Sequence, residues 1–224
     1  MGEMPMPGGW TMSMAWMRMP GQTWPGAAAS FLGMWIVMMV AMMLPSLVPM
    51  LWRYCRAVGS TGETRLGRLT ALVGVGYFVI WAVAGTAAYA AGAGVVALEM
   101  RWEKVAQWLP AAAGGVLLVA AGVQFTSWKA RQLALCREGS GCDCPPALNA
   151  LGAWRHGLRL GVRCSLCCGN LILALLAIGM LDLVAMAAVT LAISAERLAP
   201  APLRVERLAG VAMVVVGVLM IARV

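Results

Sequence analysis

Residues 31–51 read FLGMWIVMMVAMMLPSLVPML, twenty-one positions without a charged side chain. About 20 apolar residues are what a helix needs to cross the roughly 30 Å hydrocarbon layer of a bilayer. The run is not isolated. Of 224 residues, 62% are hydrophobic and 12% charged, and the mean hydropathy is +0.82. Such a composition excludes a soluble domain. Further apolar stretches lie at about 70–97, 110–128, 164–181, 183–199 and 206–223. The fourth and fifth are divided only by Gly179-Met180-Leu181-Asp182, and each is just long enough to cross. Backbone groups in hydrocarbon must be bonded within their own segment, so every span is expected to be helical. The fold expected is all-α: a polytopic transmembrane helical bundle of about six spans in a lipid bilayer.

The first 30 residues have neither a basic n-region nor an unbroken apolar core, so they do not read as a signal peptide. Pro5, Pro7, Gly8, Gly9, Pro20, Gly21, Pro25 and Gly26 interrupt any helix there. The expected division is a Met-rich tail over 1–30 and a transmembrane domain over 31–224, with a Cys-containing loop at about 129–163. Basic loops stay cytoplasmic. Arg53, Arg56, Arg65 and Arg68 follow the first span, and only Arg101 and Lys104 follow the second. Lys129, Arg131, Arg137, Arg155, Arg159 and Arg163 fall in the third loop. The first and third loops are thus expected inside, and the tail outside a bacterial inner membrane. Trp108 and Trp128, about 30 Å apart along a helix, would mark the two interfaces of the third span. The net charge of +8 is then mostly topological. It does not indicate nucleic acid, since no cluster of base-reading residues accompanies it.

Sulfur is distributed unevenly. Thirteen of the 18 methionines lie in the first 50 residues. Seven are in the tail: Met1, Met4, Met6, Met12, Met14, Met17 and Met19. In the first span, Met34, Met38 and Met42 recur at i, i+4, i+8 and share a helix face. Met39 and Met43 lie about 100° further round. Within a bundle such residues also serve as adaptable packing, but a tail has no core to pack. Thioethers are soft ligands and select soft ions such as Cu(I). Pro45 and Pro49 end the ladder, and Pro45 leaves a carbonyl near Ala41 without its helical donor.

Six of the seven cysteines come in two groups. Cys136, Cys142 and Cys144 lie in CREGSGCDCPP, residues 136–146. Cys164, Cys167 and Cys168 lie in GVRCSLCCGN, residues 161–170, and share one helix face at i, i+3, i+4. A reducing cytoplasm would leave both groups as thiols. At the start of the fourth span, the helix dipole together with Arg159 and Arg163 would favour thiolates. Zn(II) suits thiolates but has little use for thioethers, so Cu(I) is expected first and zinc second. Cys55 stands alone and reads as packing. His156, in a basic segment, reads as a surface residue. Glu196 and Arg197 read as a mutual pair, Asp182 as a turn residue, and Gln124 and Asn170 as buried groups that should bond between helices. Gly85, Gly92, Gly114, Gly115 and Gly122 suggest close helix approach. No Walker loop, dinucleotide fingerprint or Ser-His-Asp order is visible, which argues against an ATP-driven pump.

Three segments carry a resemblance. MWIVMMVAMMLPSLVPM (34–50), AAGVQFTSWKARQLALCREGSGC (120–142), and CSLCCGN (164–170) followed by LAISAERLAP (191–200) resemble, in that order, bacterial predicted metal-binding integral membrane proteins of unknown function. The resemblance spans Trp10 to Val224 and implies metal binding without a stated chemistry. Members commonly have an additional apolar helix before the methionine stretch; this chain starts inside that stretch, so its tail is expected to be free rather than looped. They commonly carry a histidine where this chain has Leu160, so the site is expected to be all sulfur. The leading expectation is a non-enzymatic path for Cu(I). The tail collects the ion, Met38, Met42 and Met43 pass it inward, and Cys164, Cys167 and Cys168 receive it. The alternative is an accessory protein, alone or as a homo-oligomer, that hands copper to a membrane oxidase or a soluble metal-binding partner. A third reading is a thiol oxidoreductase using Cys164 and Cys167.

Overall fold

A computed structural model of the chain describes residues 3–5, 11–13, 16, 18, 21–58, 63–138, 149–199 and 202–222. Seven helices carry the fold: α1 (Trp24–Val58), α2 (Glu63–Glu99), α3 (Glu103–Gln124), α4 (Ser127–Glu138), α5 (Ala150–Ile178), α6 (Leu183–Leu198) and α7 (Pro202–Ala222). The tail, expected to lack regular structure, contributes a small antiparallel ribbon, β1 (Glu3–Pro5) with β2 (Thr11–Ser13), with Met4 opposite Met12. The rest of the described chain is all-α, as expected.

Five helices are long and apolar enough to cross a membrane: α1, α2, α3, α5 and α7. Their outward surfaces are apolar. Val37, Val83, Val119 and Leu208 are at least 63% exposed, which suits contact with lipid. The other expected span is α6. Its 16 residues reach only about 24 Å at 1.5 Å per residue, short of the roughly 30 Å hydrocarbon layer. Its ends are set by local chemistry. Gly179 takes a positive φ of 137° that terminates α5, and the Asp182 carboxylate accepts from Val184 N and Ala185 N to start α6.

Two further boundaries differ from expectation. The third span does not run on to 128. The chain turns at Phe125 and Thr126, and the Thr126 hydroxyl accepts from Lys129 N to start α4. Residues 129–138, read as loop, are therefore helical, within α4. The fourth span begins at Ala150 rather than 164, with the Asn149 side chain accepting from Gly152 N at 2.7 Å. Arg155, Arg159 and Arg163 made this stretch read as a loop. At four-residue spacing they instead share one flank of a helix, leaving the opposite side apolar.

That apolar side sets the tightest packing in the bundle. A Cβ placed on Gly157 would lie 2.2 Å from the Val73 carbonyl, and one on Gly161 would lie 2.8 Å from that of Tyr77. On α2, one on Gly76 would lie 2.8 Å from the Trp154 carbonyl. Glycine thus lets the α2 and α5 backbones touch, as small residues do between membrane helices. Gly114 does the same for α3 against Gly217 of α7, while Gly85 and Gly92 seat Trp35 and Trp16. Gly115 and Gly122 face open space, so the packing role expected of them is not found.

Candidate metal centre

Helix α1 presents its buried side chains as Phe31, Trp35, Met38, Met39, Met42, Met43, Ser46 and Leu47. This order divides the bundle interior into zones. At one end Phe31 lies 5.0 Å from Trp16, 6.0 Å from Trp35 and 5.1 Å from Tyr89, centroid to centroid. Trp35 Nε1 donates to the Trp81 carbonyl at 2.8 Å. These rings fill that end. Sulfur follows. Met38, Met39, Met42 and Met43 are buried in the core, and Met34 is partly buried against it.

The close approach of α5 brings its cysteines to this sulfur-lined zone. Cys164, Cys167 and Cys168 are fully buried. Cys164 Sγ lies 3.9 Å from Met43 Sδ and 4.0 Å from Cys168 Sγ, and Cys168 Sγ lies 3.6 Å from Cys167 Sγ. The Cys136 thiol, buried on α4, neighbours Cys167. Five sulfurs from α1, α4 and α5 therefore form a chain, Met43–Cys164–Cys168–Cys167–Cys136. With metal–sulfur bonds of about 2.3 Å, two sulfurs sharing an ion lie up to about 4.6 Å apart. Every measured step falls within that reach. Among the described residues, no three Cys, His, Asp or Glu side chains converge on a single point. The arrangement is a file of donors rather than a cage.

Cys164 is also the acceptor for two donors. Tyr77 Oη lies 2.9 Å away and Arg197 Nη1 3.4 Å away. Arg197 further donates to Ser46 Oγ at 2.7 Å and approaches Met50 Sδ at 3.0 Å. Sequence reasoning assigned Arg197 to Glu196, which is incorrect. Successive residues of a helix point about 100° apart, and the two enter different networks. Glu196 pairs with Lys129 at 3.0 Å and accepts from the Gln124 amide. Lys129 also donates to the Cys167 carbonyl and to Asn170 Oδ1, and Asn170 donates to Gln124. Gln124 and Asn170 thus bond between helices, as expected. Lys129, counted among the loop charges, is fully buried and cannot mark a loop. Glu206 of α7, 3% exposed, faces the same Lys129–Glu196 pair.

The helix-dipole expectation for the cysteines is overturned. Cys164 lies well inside α5, about 21 Å from its first residue Ala150, whereas the dipole acts within the first turn. The local positive charge is Arg197 instead. A cavity of about 200 Å³ adjoins the file, lined by Ser46, Pro49 and Met50 of α1, Cys136 and Arg137 of α4, and Arg197 of α6. Cys136 is at once the end of the file and part of the cavity wall.

The structure therefore brings together Met43, Cys136, Cys164, Cys167 and Cys168. Met38 and Met42 are buried in the same core, and Met34 stands at its edge. Cys142, Cys144 and most of the methionine tail lie outside the described residues. Cys55 contacts Thr70 Oγ1 at 3.2 Å, away from the file. Sequence reasoning missed Tyr77, Ser46, Met50 and Arg197. A usable signal existed for two of them: Ser46 and Met50 fall at i+3 and i+7 from Met43 on α1, continuing the ladder past Pro45.

Fold and site together define a helical membrane protein with a buried file of soft sulfur donors. A family model described as PpoB2, a copper chaperone, matches residues 32–220. The chain belongs to that family, which agrees with the metal-binding resemblance and gives the metal as copper. No curated protein and no solved structure shows significant similarity to it.

Proposed function

We propose that this protein holds Cu(I) within the membrane and delivers it to a partner protein, rather than conducting it across. Copper rests on Cys164 and Cys168, with Met43 as a weak third donor. It leaves by exchange through Cys167 and Cys136 at the cavity. The observation that carries this reading is the file itself, which runs from the core to one cavity wall. Three further features support it. Soft thiolate and thioether donors suit Cu(I). An open file suits an ion content with two or three ligands, whereas structural zinc takes four. The far end of the interior is filled by Trp16, Phe31, Trp35 and Tyr89, which favours delivery from one mouth over passage through two. The acceptor is a soluble copper protein or a membrane oxidase, and the chain acts without catalysis. The sulfurs of Cys164 and Cys167 both neighbour Cys168, so the pair suits shared ligation better than a dithiol redox couple.

The test is anaerobic loading of the purified protein with Cu(I), followed by transfer to a chromogenic Cu(I) chelator or an apo-acceptor. Cys164→Ser and Cys168→Ser should each weaken Cu(I) binding by about tenfold or more, since losing a ligand costs at least what losing its supporting partner does. Cys55→Ser should bind as wild type. Cys136→Ser should retain copper but release it more slowly. Net Cu(I) uptake into sealed proteoliposomes, abolished by Cys164→Ser, would restore the transport reading.

A further inference from the structure

We infer that Arg197 makes the site selective for monovalent thiophilic ions, Cu(I) and Ag(I), against divalent ones such as Zn(II) and Cd(II). This rests on the copper reading above and names the class of ion the site accepts.

Arg197 is 7% exposed and reaches into the bundle from the last turn of α6. A guanidinium stays charged in a protein, and a charge inside a membrane bundle needs a counter-charge. Among the described residues no carboxylate pairs with it, because Glu196 is engaged by Lys129 and Gln124. The groups its charge faces are Cys164 and Cys168 of α5, Cys136 of α4 and Tyr77 of α2. Its hydrogen-bond partners are Ser46, Cys164 and Met50. Among the described residues, the acidic group in direct contact with Arg197 is the Cys164 thiol, so sulfur is the source of the anion.

Ligation supplies it. When Cys164 and Cys168 bind Cu(I), two S–H bonds break, two S–Cu bonds form, and two protons leave by the cavity to water. No electron is transferred. The bis-thiolate complex carries one negative charge, which Arg197 neutralises through the Nη1 contact to Cys164. With Zn(II) the same two thiolates give a neutral complex, and Arg197 is left without a counter-charge beside a dication. A third thiolate on the same ion would restore balance for zinc, but no three such side chains converge there among the described residues. The pair of Lys129 and Glu196, with Glu206 beside it, forms a separate network behind Cys167.

The experiment measures Cu(I), Ag(I), Zn(II) and Cd(II) affinities of the full-length protein in detergent by chelator competition under anaerobic conditions. Wild type should hold Cu(I) and Ag(I) and release Zn(II) and Cd(II) to weak chelators. Arg197→Gln should lower the Cu(I)-to-Zn(II) affinity ratio by about ten- to a hundredfold, the range of one charge-assisted hydrogen bond, and Arg197→Lys should keep most of it. An unchanged ratio in Arg197→Gln, with Cu(I) still bound through Cys164, overturns the inference and leaves the copper reading intact. Should Arg197→Gln fail to fold, wild type alone decides: Cd(II) held as tightly as Ag(I) overturns it. A wild-type protein that binds neither Cu(I) nor Ag(I) overturns the copper reading and this inference together.

Discussion

At the scale of single residues, two buried cations among the described residues, Lys129 and Arg197, are handled in opposite ways. Lys129 is paired and hydrogen-bonded on every side, to Glu196, Asn170 and the Cys167 carbonyl. It thereby fixes the turn of α5 that carries Cys167 and Cys168. Arg197 has sulfur and a hydroxyl instead of a carboxylate. The difference makes a prediction for Lys129. Removing one member of a buried ion pair strands the other and typically costs about 3–5 kcal/mol. Lys129→Met leaves the buried Glu196 carboxylate without its ion-pair partner, so thermal unfolding in detergent should show a loss of that order. Lys129→Met/Glu196→Gln should recover most of it. Equal stabilities for the single variant and wild type would mean that the pair contributes nothing. None of this was legible from sequence. Glu196 and Arg197 are adjacent, and opposite charges side by side in a chain suggest a pair. Only the course of α4, hidden inside an apparent loop, supplies the true partner.

At the scale of elements, the sulfur ladder and the triple-cysteine face were legible because helical periodicity is intrinsic to the chain. Met38, Met42 and Met43 do face inward, and Cys164 and Cys168 do share a face. What periodicity does not give is where helices start and which ones touch. Charges at 155, 159 and 163 masked the first half of α5. Gly157 and Gly161, inside that masked half, are the residues that seat α5 on α2 and so bring Tyr77 to Cys164. Gly115 and Gly122 fall in a plain apolar run and looked better placed, yet face open space. Gly157→Ala sets a methyl against the Val73 carbonyl, where neither backbone can yield without parting the helices. Overpacking of this kind costs typically about 1–3 kcal/mol. The variant should unfold at a lower temperature and bind Cu(I) more weakly, because the Cys164 end of the file moves. Gly122→Ala should do neither. Identical behaviour of the two variants would show that the α2–α5 contact does not position the site.

At the scale of the whole molecule, one end of the bundle gathers the cavity, the end of the sulfur file and most of the basic residues. Arg197 contacts Ser46 and Met50 in the second half of α1, and Arg137 of α4 donates to the Glu196 carbonyl. These contacts set the finish of α6 beside the second half of α1 and the end of α4. Arg56 near the end of α1, Arg131 and Arg137 on α4, Arg155, Arg159 and Arg163 in the first half of α5, and Arg204 and Arg207 at the start of α7 lie toward that end. Arg101, at the turn from α2 to α3, lies at the other. The charge asymmetry inferred from loops therefore survives although Lys129 must be removed from the count and the arginines of α5 are helical. Excess Lys and Arg next to membrane helices stay in the cytoplasm, so the cavity is expected to open there. Copper would then be exchanged with cytoplasmic thiols, or with a partner that docks from that side. Reporter fusions after Pro145 and after Arg101 decide the matter: the first should report the cytoplasm and the second the opposite side. The reverse pattern would move the exchange mouth outside, where an oxidising environment would threaten Cys136 first, since it alone of the four thiols in the file lines the cavity.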